Sequence, residues 1–243
     1  FSILVGLNLQ AEVKLPSIFG SHMVLQRDHA NPVWGWAAPG EKITVSIAGQ
    51  SHSATTDKDG AWRVKLQPLK VNAKGQVLTI KGSNTITLTD VLVGEVWVCS
   101  GQSNMEWAVR NSLNPEEELK AANYPNIRLF NVPGHTTSPV AKDKLPGGSW
   151  QACKPDTVAG FSAVGYFFGR RLHKESKVPI GLIGTNWGGT RVEPWTPPVG
   201  FRQVPELKAI ADQVGKFDKT TKVGGSTPTA IYQSMVHPLV PYG

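Results

Sequence analysis

Residues 91–99, Val-Leu-Val-Gly-Glu-Val-Trp-Val-Cys, form a nearly unbroken apolar run that stops at Ser100-Gly-Gln-Ser103. A short run of this kind, rich in β-branched residues, reads as a strand covered on both faces, as in a parallel sheet flanked by helices. It requires layers of chain on either side of it, and its carboxyl end opens into a loop of small polar residues. In open parallel sheets that is where ligands bind.

The stretch before this run has a different character. Runs at residues 23–25, 32–36, 42–47, 61–66, 77–80 and 84–88 are short, and several alternate apolar and polar residues. Turn signals such as Ala38-Pro-Gly40, Asp57-Lys-Asp-Gly60 and Lys81-Gly-Ser-Asn84 separate them. This pattern predicts a small antiparallel β-sandwich over residues 12–92. After residue 93 the pattern becomes α/β. Residues 115–122 favour a helix with Pro and acids in its first turn, and residues 126–132 a strand. Phe161, Val164, Phe168 and Leu172 are spaced as the apolar stripe of a helix over 160–177. Residues 178–183 then form a buried strand, followed by the loop Gly184-Thr-Asn-Trp-Gly-Gly-Thr190.

With 243 residues, 40% of them hydrophobic, the chain can bury a substantial core, and 25 Gly with 18 Pro argue against a helical bundle. The formal charge of +7 is spread evenly, 9 Lys and Arg against 6 Asp and Glu over residues 1–92 and 16 against 12 over the rest. Without a basic run or helix face, nucleic-acid binding is excluded as the leading reading. Residues 1–11 are apolar, uncharged and end in Ala11 ahead of Glu12, which reads as the remnant of a signal peptide, although an ordinary first strand fits the same residues. The expectation is a secreted or periplasmic protein, and the stretch is too short for stable membrane insertion. Cys99 and Cys153 match no metal-ligand spacing; export would permit a disulfide, but buried free thiols are the simpler expectation.

Ser103 lies two residues after Gly101 at a strand-to-helix turn, so its hydroxyl and N–H project from the sheet edge into one space. That placement suits a nucleophile that also donates to an oxyanion. It is not the Gly-x-Ser-x-Gly elbow, since Met105 occupies the second glycine position. A serine in a Gly/Asn loop is by itself more often simply a turn.

The block Gly94-Glu-Val-Trp-Val-Cys-Ser-Gly-Gln-Ser-Asn-Met-Glu-Trp107 resembles the first signature of the sialate O-acetylesterase family, a branch of the SGNH (GDSL-like) hydrolases. Leu15-Pro-Ser-Ile-Phe-Gly-Ser-His-Met-Val-Leu-Gln-Arg27 and Pro32-Val-Trp-Gly-Trp36 resemble the β-domain that precedes its catalytic domain. Residues 161–169 and 181–195 are similar as well, in the same order. The resemblance implies an N-terminal antiparallel β-sandwich at 12–92 and, at 93–243, the first part of a three-layer α/β/α SGNH-hydrolase domain. It implies hydrolysis of O-acetylated carbohydrate through a Ser103 acyl-enzyme, with no metal or organic cofactor. Ser103 takes the nucleophile's place, and a backbone N–H of Gly188 or Gly189, with Gly189 favoured, supplies a second oxyanion donor. Gln102, Asn104, Trp187 and Arg191 are the further substrate-binding candidates. Arg191 could meet a sugar carboxylate or pair with Glu193, and Trp107, Trp187 and Trp195 could floor a sugar site. Trp34, Trp36 and Trp62 read as sandwich core.

The family's later blocks, an oxyanion asparagine segment and an Asp-x-x-His pair, do not occur, so a fragment inactive by itself is expected. His22, His29, His52, His135, His173 and His237 read as surface or packing residues. The alternative is a non-catalytic carbohydrate-binding protein. A cut sheet would also leave apolar faces uncovered, which predicts poor solubility for this span.

Overall fold

The computed structural model describes residues 12–242. The signal-peptide reading of residues 1–11 lies outside the described residues. Seven strands come first: β1 (Val24–Gln26), β2 (Pro32–Trp36), β3 (Lys42–Ile47), β4 (Gln50–Thr55), β5 (Ala61–Lys65), β6 (Asn72–Lys81) and β7 (Thr85–Gly101). In β3 the apolar residues Ile43, Val45 and Ile47 are buried while Lys42, Thr44 and Ser46 are not, the signature of a half-buried strand. The two-stranded ribbon β2–β5 packs Val33, Trp34, Trp62 and Val64 into the same core as Ile43, Val45, Leu78 and Ile80.

The structure departs from the sequence expectation at three strands. β4 was not foreseen, because its Gln-Ser-His-Ser-Ala-Thr sequence has no buried residue. It is an edge strand held by backbone pairing to β3 through a turn at Ala48 (φ 52°) and Gly49 (φ 77°). β1 pairs in parallel with β7, so this part is not wholly antiparallel. Residues expected as two strands, 84–88 and 91–99, are one strand of 17 residues, with Asp90 in the left-handed region (φ 55°) at its middle.

Beyond β7 come α1 (Ser103–Glu106), α2 (Pro115–Ala121), β8 (Tyr124–Asn131), β9 (Trp150–Cys153), α3 (Pro155–Val158), α4 (Ala163–Ser176), β10 (Ile180–Asn186), α5 (Pro198–Arg202) and α6 (Lys208–Val214). A wide π-helical turn over Tyr232–Val236 and a tighter 3₁₀ stretch over His237–Tyr242 follow. The result is a mixed α/β fold on one eight-stranded sheet, ordered β4-β3-β6-β7-β10-β8-β9 with β1 also on β7. Thr85 to Val93 of β7 pair with β6 antiparallel, and Glu95 to Gly101 pair with β10 in parallel. The expected division at 92/93 therefore falls inside a continuous strand.

The face that α4 lays on the sheet is the expected one only in part: Phe161 is buried and Leu172 packs against the core. Val164 and Phe168 are exposed, whereas Ala163, Gly165, Tyr166 and Gly169 are buried. Gly165 and Gly169 leave no room for a Cβ against Cys99 and Leu182, so the helix approaches closely there on small residues, with Tyr166 buried beside them. The thiols of Cys99 and Cys153 are both buried and free. Their strands are three positions apart in the sheet, roughly 14 Å at the usual strand spacing, too far for a disulfide. Burial pushes Cys99 up to about 11 and Cys153 to about 12, so both stay protonated thiols at neutral pH.

Two contacts join the early chain and the middle of the sheet to β8 and β9. Phe19, Trp34, Phe130, Trp150 and Tyr242 form a buried aromatic cluster, with Phe19 and Trp34 at 4.6 Å and Phe130 and Trp150 at 5.4 Å. Trp150 Nε1 donates to Ile18 O at 2.7 Å, and the Tyr242 hydroxyl donates to Val24 O at 2.7 Å. The other contact is Arg128, 4% exposed, whose Nη1 donates to Asp90 Oδ2 at 2.7 Å and to His22 O at 3.1 Å. Its Nε donates to Pro125 O at 2.7 Å.

The hydrogen bond from Arg128 holds the Asp90 carboxyl below the usual carboxylate range, with His22 Nδ1 adding a second partner at 2.7 Å. A depressed acid contributes stability that is full above its unfolded value, about pH 4, and is lost as pH falls through its folded value. Asp90→Asn is therefore expected to flatten the acid limb of stability below pH 4 in urea titrations, while Arg128→Ala costs about 2–3 kcal/mol at neutral pH.

The second half of β7 is less covered than its sequence predicts. Trp97 is 43% and Val98 53% exposed, and beyond Glu95 the strand has a partner on its β10 side alone among the described residues. Trp97 meets Phe168 at 5.0 Å, and Val98 faces an open groove with Val96 and Val240. Residues 12–242 expressed alone are expected to associate with rising concentration in sedimentation velocity, and Trp97→Ser with Val98→Thr to reduce that association.

Candidate active site

The parallel register of β7 and β10 decides where the two polar loops meet. Gly101 is opposite Asn186, both at the carboxyl ends of their strands, and Trp187 N–H donates to Gly101 O at 3.0 Å. Two residues further along each chain are Ser103 and Gly188. A Cβ built on Gly188 would stand 3.4 Å from the Ser103 Cα and would collide with the Glu106 carboxylate. Of the sequence candidates, the structure thus brings Ser103, Gln102, Trp187, Gly188 and Gly189 together.

Ser103 opens α1 and is exposed. Its Oγ and its N–H both point at one atom, Gln102 Oε1, at 3.3 and 3.4 Å. These are long contacts, so a better acceptor can displace the glutamine carbonyl. Gly188 N–H is already engaged by Glu106 Oε2 at 2.8 Å. Gly189 has φ 76° and open space around its Cβ position. Thr190 Oγ1 donates to Trp187 O at 2.7 Å and accepts from Trp195 Nε1 at 2.8 Å, closing the loop on itself.

Arg191 is exposed and forms no ion pair or hydrogen bond among the described residues, so the pairing with Glu193 does not occur there. It lines a cleft of about 320 Å³ with Gln102, Thr190 and Trp195. Asn104 is exposed and its side chain has no partner among the described residues, so it is not drawn into the cluster. Trp107 is 56% exposed, with Nε1 donating to Asn111 O at 3.0 Å. A depression of about 610 Å³ lies between Trp36, Asp57, Arg63 and His237 and includes neither loop.

Two residues at the site were missed by the sequence reading. Glu106 is three residues after Ser103, so one turn of helix puts both on the same side. His135, read as a surface loop residue, has Nε2 at 2.7 Å from Glu106 Oε1, and its ring stacks on Trp187 at 4.6 Å with planes 8° apart. Spacing from Ser103 could have pointed to Glu106; nothing local in Pro133-Gly-His135 marks the histidine. No histidine hydrogen-bonds Ser103 Oγ, and no group of three or more His, Cys, Asp or Glu is placed to hold a metal among the described residues.

A family profile described as "Carbohydrate esterase, sialic acid-specific acetylesterase" matches residues 93–223, more than half of the chain and both of these loops. The chain belongs to that family. Sialate O-acetylesterase of Homo sapiens is 33% identical over 251 residues, covering 93% of this chain and 46% of the human protein. The Mus musculus sialate O-acetylesterase is 30% identical over 268 residues, with 93% and 49% covered. The crystal structure of a carbohydrate acetylesterase from Xanthomonas citri matches with a TM-score of 0.82 at 34% identity, covering 96% of this chain and 49% of that one. The chain spans about half the length of the relatives it matches.

Within the glycine loop of this carbohydrate esterase family member, the two glycines are constrained differently. Gly189→Ala is expected to cost about 1–2 kcal/mol through its left-handed backbone alone. Gly188→Ala is expected to push the Glu106 carboxylate off the Gly188 N–H, which a crystal structure of the variant would show directly.

Proposed function

We propose that this chain carries the nucleophile and oxyanion part of a carbohydrate O-acetylesterase. The observation that supports this best is the convergence of Ser103 and the Gly188-Gly189 turn at the carboxyl ends of two paired parallel strands. Ser103 Oγ attacks the carbonyl carbon of a sugar acetyl ester while its proton passes to a general base outside residues 12–242. The tetrahedral oxyanion is held by the N–H groups of Ser103 and Gly189, after Gln102 Oε1 has been displaced from the Ser103 donor. The sugar hydroxyl leaves with a proton from the base, and water then hydrolyses the acetyl-enzyme. A serine hydroxyl needs such a base at neutral pH, so residues 12–242 alone turn over no ester.

The substrate in this reading is an O-acetylated carbohydrate. Arg191, free of any protein carboxylate among the described residues, is the group that would meet a sugar carboxylate such as that of a sialic acid. Gln102 and Trp187 are the remaining substrate contacts. The domain organisation that goes with it is a β-sandwich support at 12–92, whose two faces are the β2–β5 ribbon and the β3–β6 part of the sheet, and at 93–243 the first part of a three-layer α/β/α domain. A secreted or periplasmic site of action is part of the same proposal. The rival reading as a glycan-binding module leans on the tryptophan content and the missing general base; of those tryptophans Trp34 and Trp62, 8% and 3% exposed, serve the core, while Trp97 and Trp107 are exposed.

In the full-length protein, Ser103→Ala is expected to lower hydrolysis of 4-nitrophenyl acetate and of O-acetylated sialic acid by about 10⁴- to 10⁶-fold, with an unchanged thermal transition. Activity within tenfold of the unaltered protein would exclude Ser103 as the nucleophile.

A further inference from the structure

We propose that Glu106 is a positioning residue that orients the oxyanion donor by occupying the neighbouring one. This rests on the reading of Ser103 as nucleophile. The Glu106 carboxylate spans two groups: Oε2 accepts the Gly188 N–H at 2.8 Å, and Oε1 lies 2.7 Å from His135 Nε2. His135 in turn stacks flat on Trp187, the residue that begins the glycine loop. Trp187 is also tied by its N–H to Gly101 O, and Thr190 is tied by its hydroxyl to Trp187 O. Every residue of the loop except Gly189 is thereby anchored.

The consequence is geometrical. A backbone N–H bound to a carboxylate is a strong, charge-assisted donor already in use, so Gly188 does not serve the substrate. With Gly188 held and Gly189 in the left-handed region, the peptide between them is fixed in direction, and the Gly189 N–H is the one left free to donate. A donor of this kind gives catalysis only if its aim is set before the ester arrives, since small displacements at a reacting centre cost large factors in rate. The same arrangement answers an electrostatic difficulty. An uncommitted carboxylate one helical turn from the nucleophile would oppose a developing oxyanion, whereas here both carboxylate oxygens face hydrogen-bonding partners.

The test uses the full-length protein with Ser103→Ala as the reference for loss of the nucleophile. Glu106→Ala is expected to lower kcat for an acetyl ester by about 10²-fold with KM within about threefold. Glu106→Gln, whose carbonyl still accepts from Gly188 and whose amide still faces His135, is expected to stay within about fivefold of the unaltered enzyme. Amide hydrogen exchange supplies a readout independent of turnover: Gly188 is expected to be protected in the unaltered protein and in Glu106→Gln, and to exchange freely in Glu106→Ala. An active Ser103→Ala would remove the nucleophile reading while leaving the exchange result to report on the clamp. An inactive Ser103→Ala together with a fully active Glu106→Ala, or unchanged Gly188 exchange, would overturn the positioning role. So would a Glu106→Gln as slow as Glu106→Ala. Should Glu106→Ala lose its thermal transition, His135→Ala removes the second arm alone and is expected to lower kcat about tenfold at similar KM; an unchanged kcat there would overturn the proposal equally.

Discussion

Parallel pairing of Glu95–Gly101 with residues 180–186 sets how far each strand runs before its chain turns away, and the positions of both polar loops follow from it. Because the two strands end level, Ser103 and Gly188 leave the sheet side by side. A slip of the register along the strands would separate them by the rise of each residue, about 3.3 Å, and would turn the buried side chains of β7 to the wrong face. The site is thus a property of strand register more than of either loop taken alone.

The same strand also carries the first half of the molecule. From Thr85 to Val93 it pairs with β6 in the antiparallel direction, and at Asp90 it bends through a left-handed residue before joining β10. Asp90 is where Arg128 reaches across from β8, so the bend and the buried cation stabilise one another. The aromatic cluster around Trp150 performs the same joining on the other side, with Phe19 from the early chain against Tyr242 from its end. Each such ring contributes about 2 kcal/mol by burial, which makes the two halves of the sheet one mechanical body.

Much of the β-architecture was legible. The bounds of β2 and β3 follow from residue alternation and Gly/Pro turns, because a strand with one buried face writes its environment into its sequence. Where a strand buries nothing, as in β4, no such record exists. Where a helix packs partly on glycines, as α4 does, the apolar stripe is only half right: Phe161 and Leu172 pack inward, Val164 and Phe168 are hydrophobic but outward, and Gly165 and Gly169 make close contact. The site divides in a similar way. Ser103 and the glycine pair stand in recognisable blocks, and Glu106 was within reach of helical spacing. His135 was not, since its role comes from a carboxylate 29 residues away and a stacked ring 52 residues away.

What the sequence determined by itself was therefore local: which segments prefer strand or helix, that both loops follow strands, and which family the blocks resemble. The joining of two expected strands into β7, the parallel placement of β1 and the commitment of the Gly188 N–H to Glu106 belong to the tertiary structure. The physical reason is that backbone hydrogen bonds carry no residue identity. Pairing between distant strands is selected by the packing of whole faces, and an N–H is committed or free according to a partner that only the folded chain brings near.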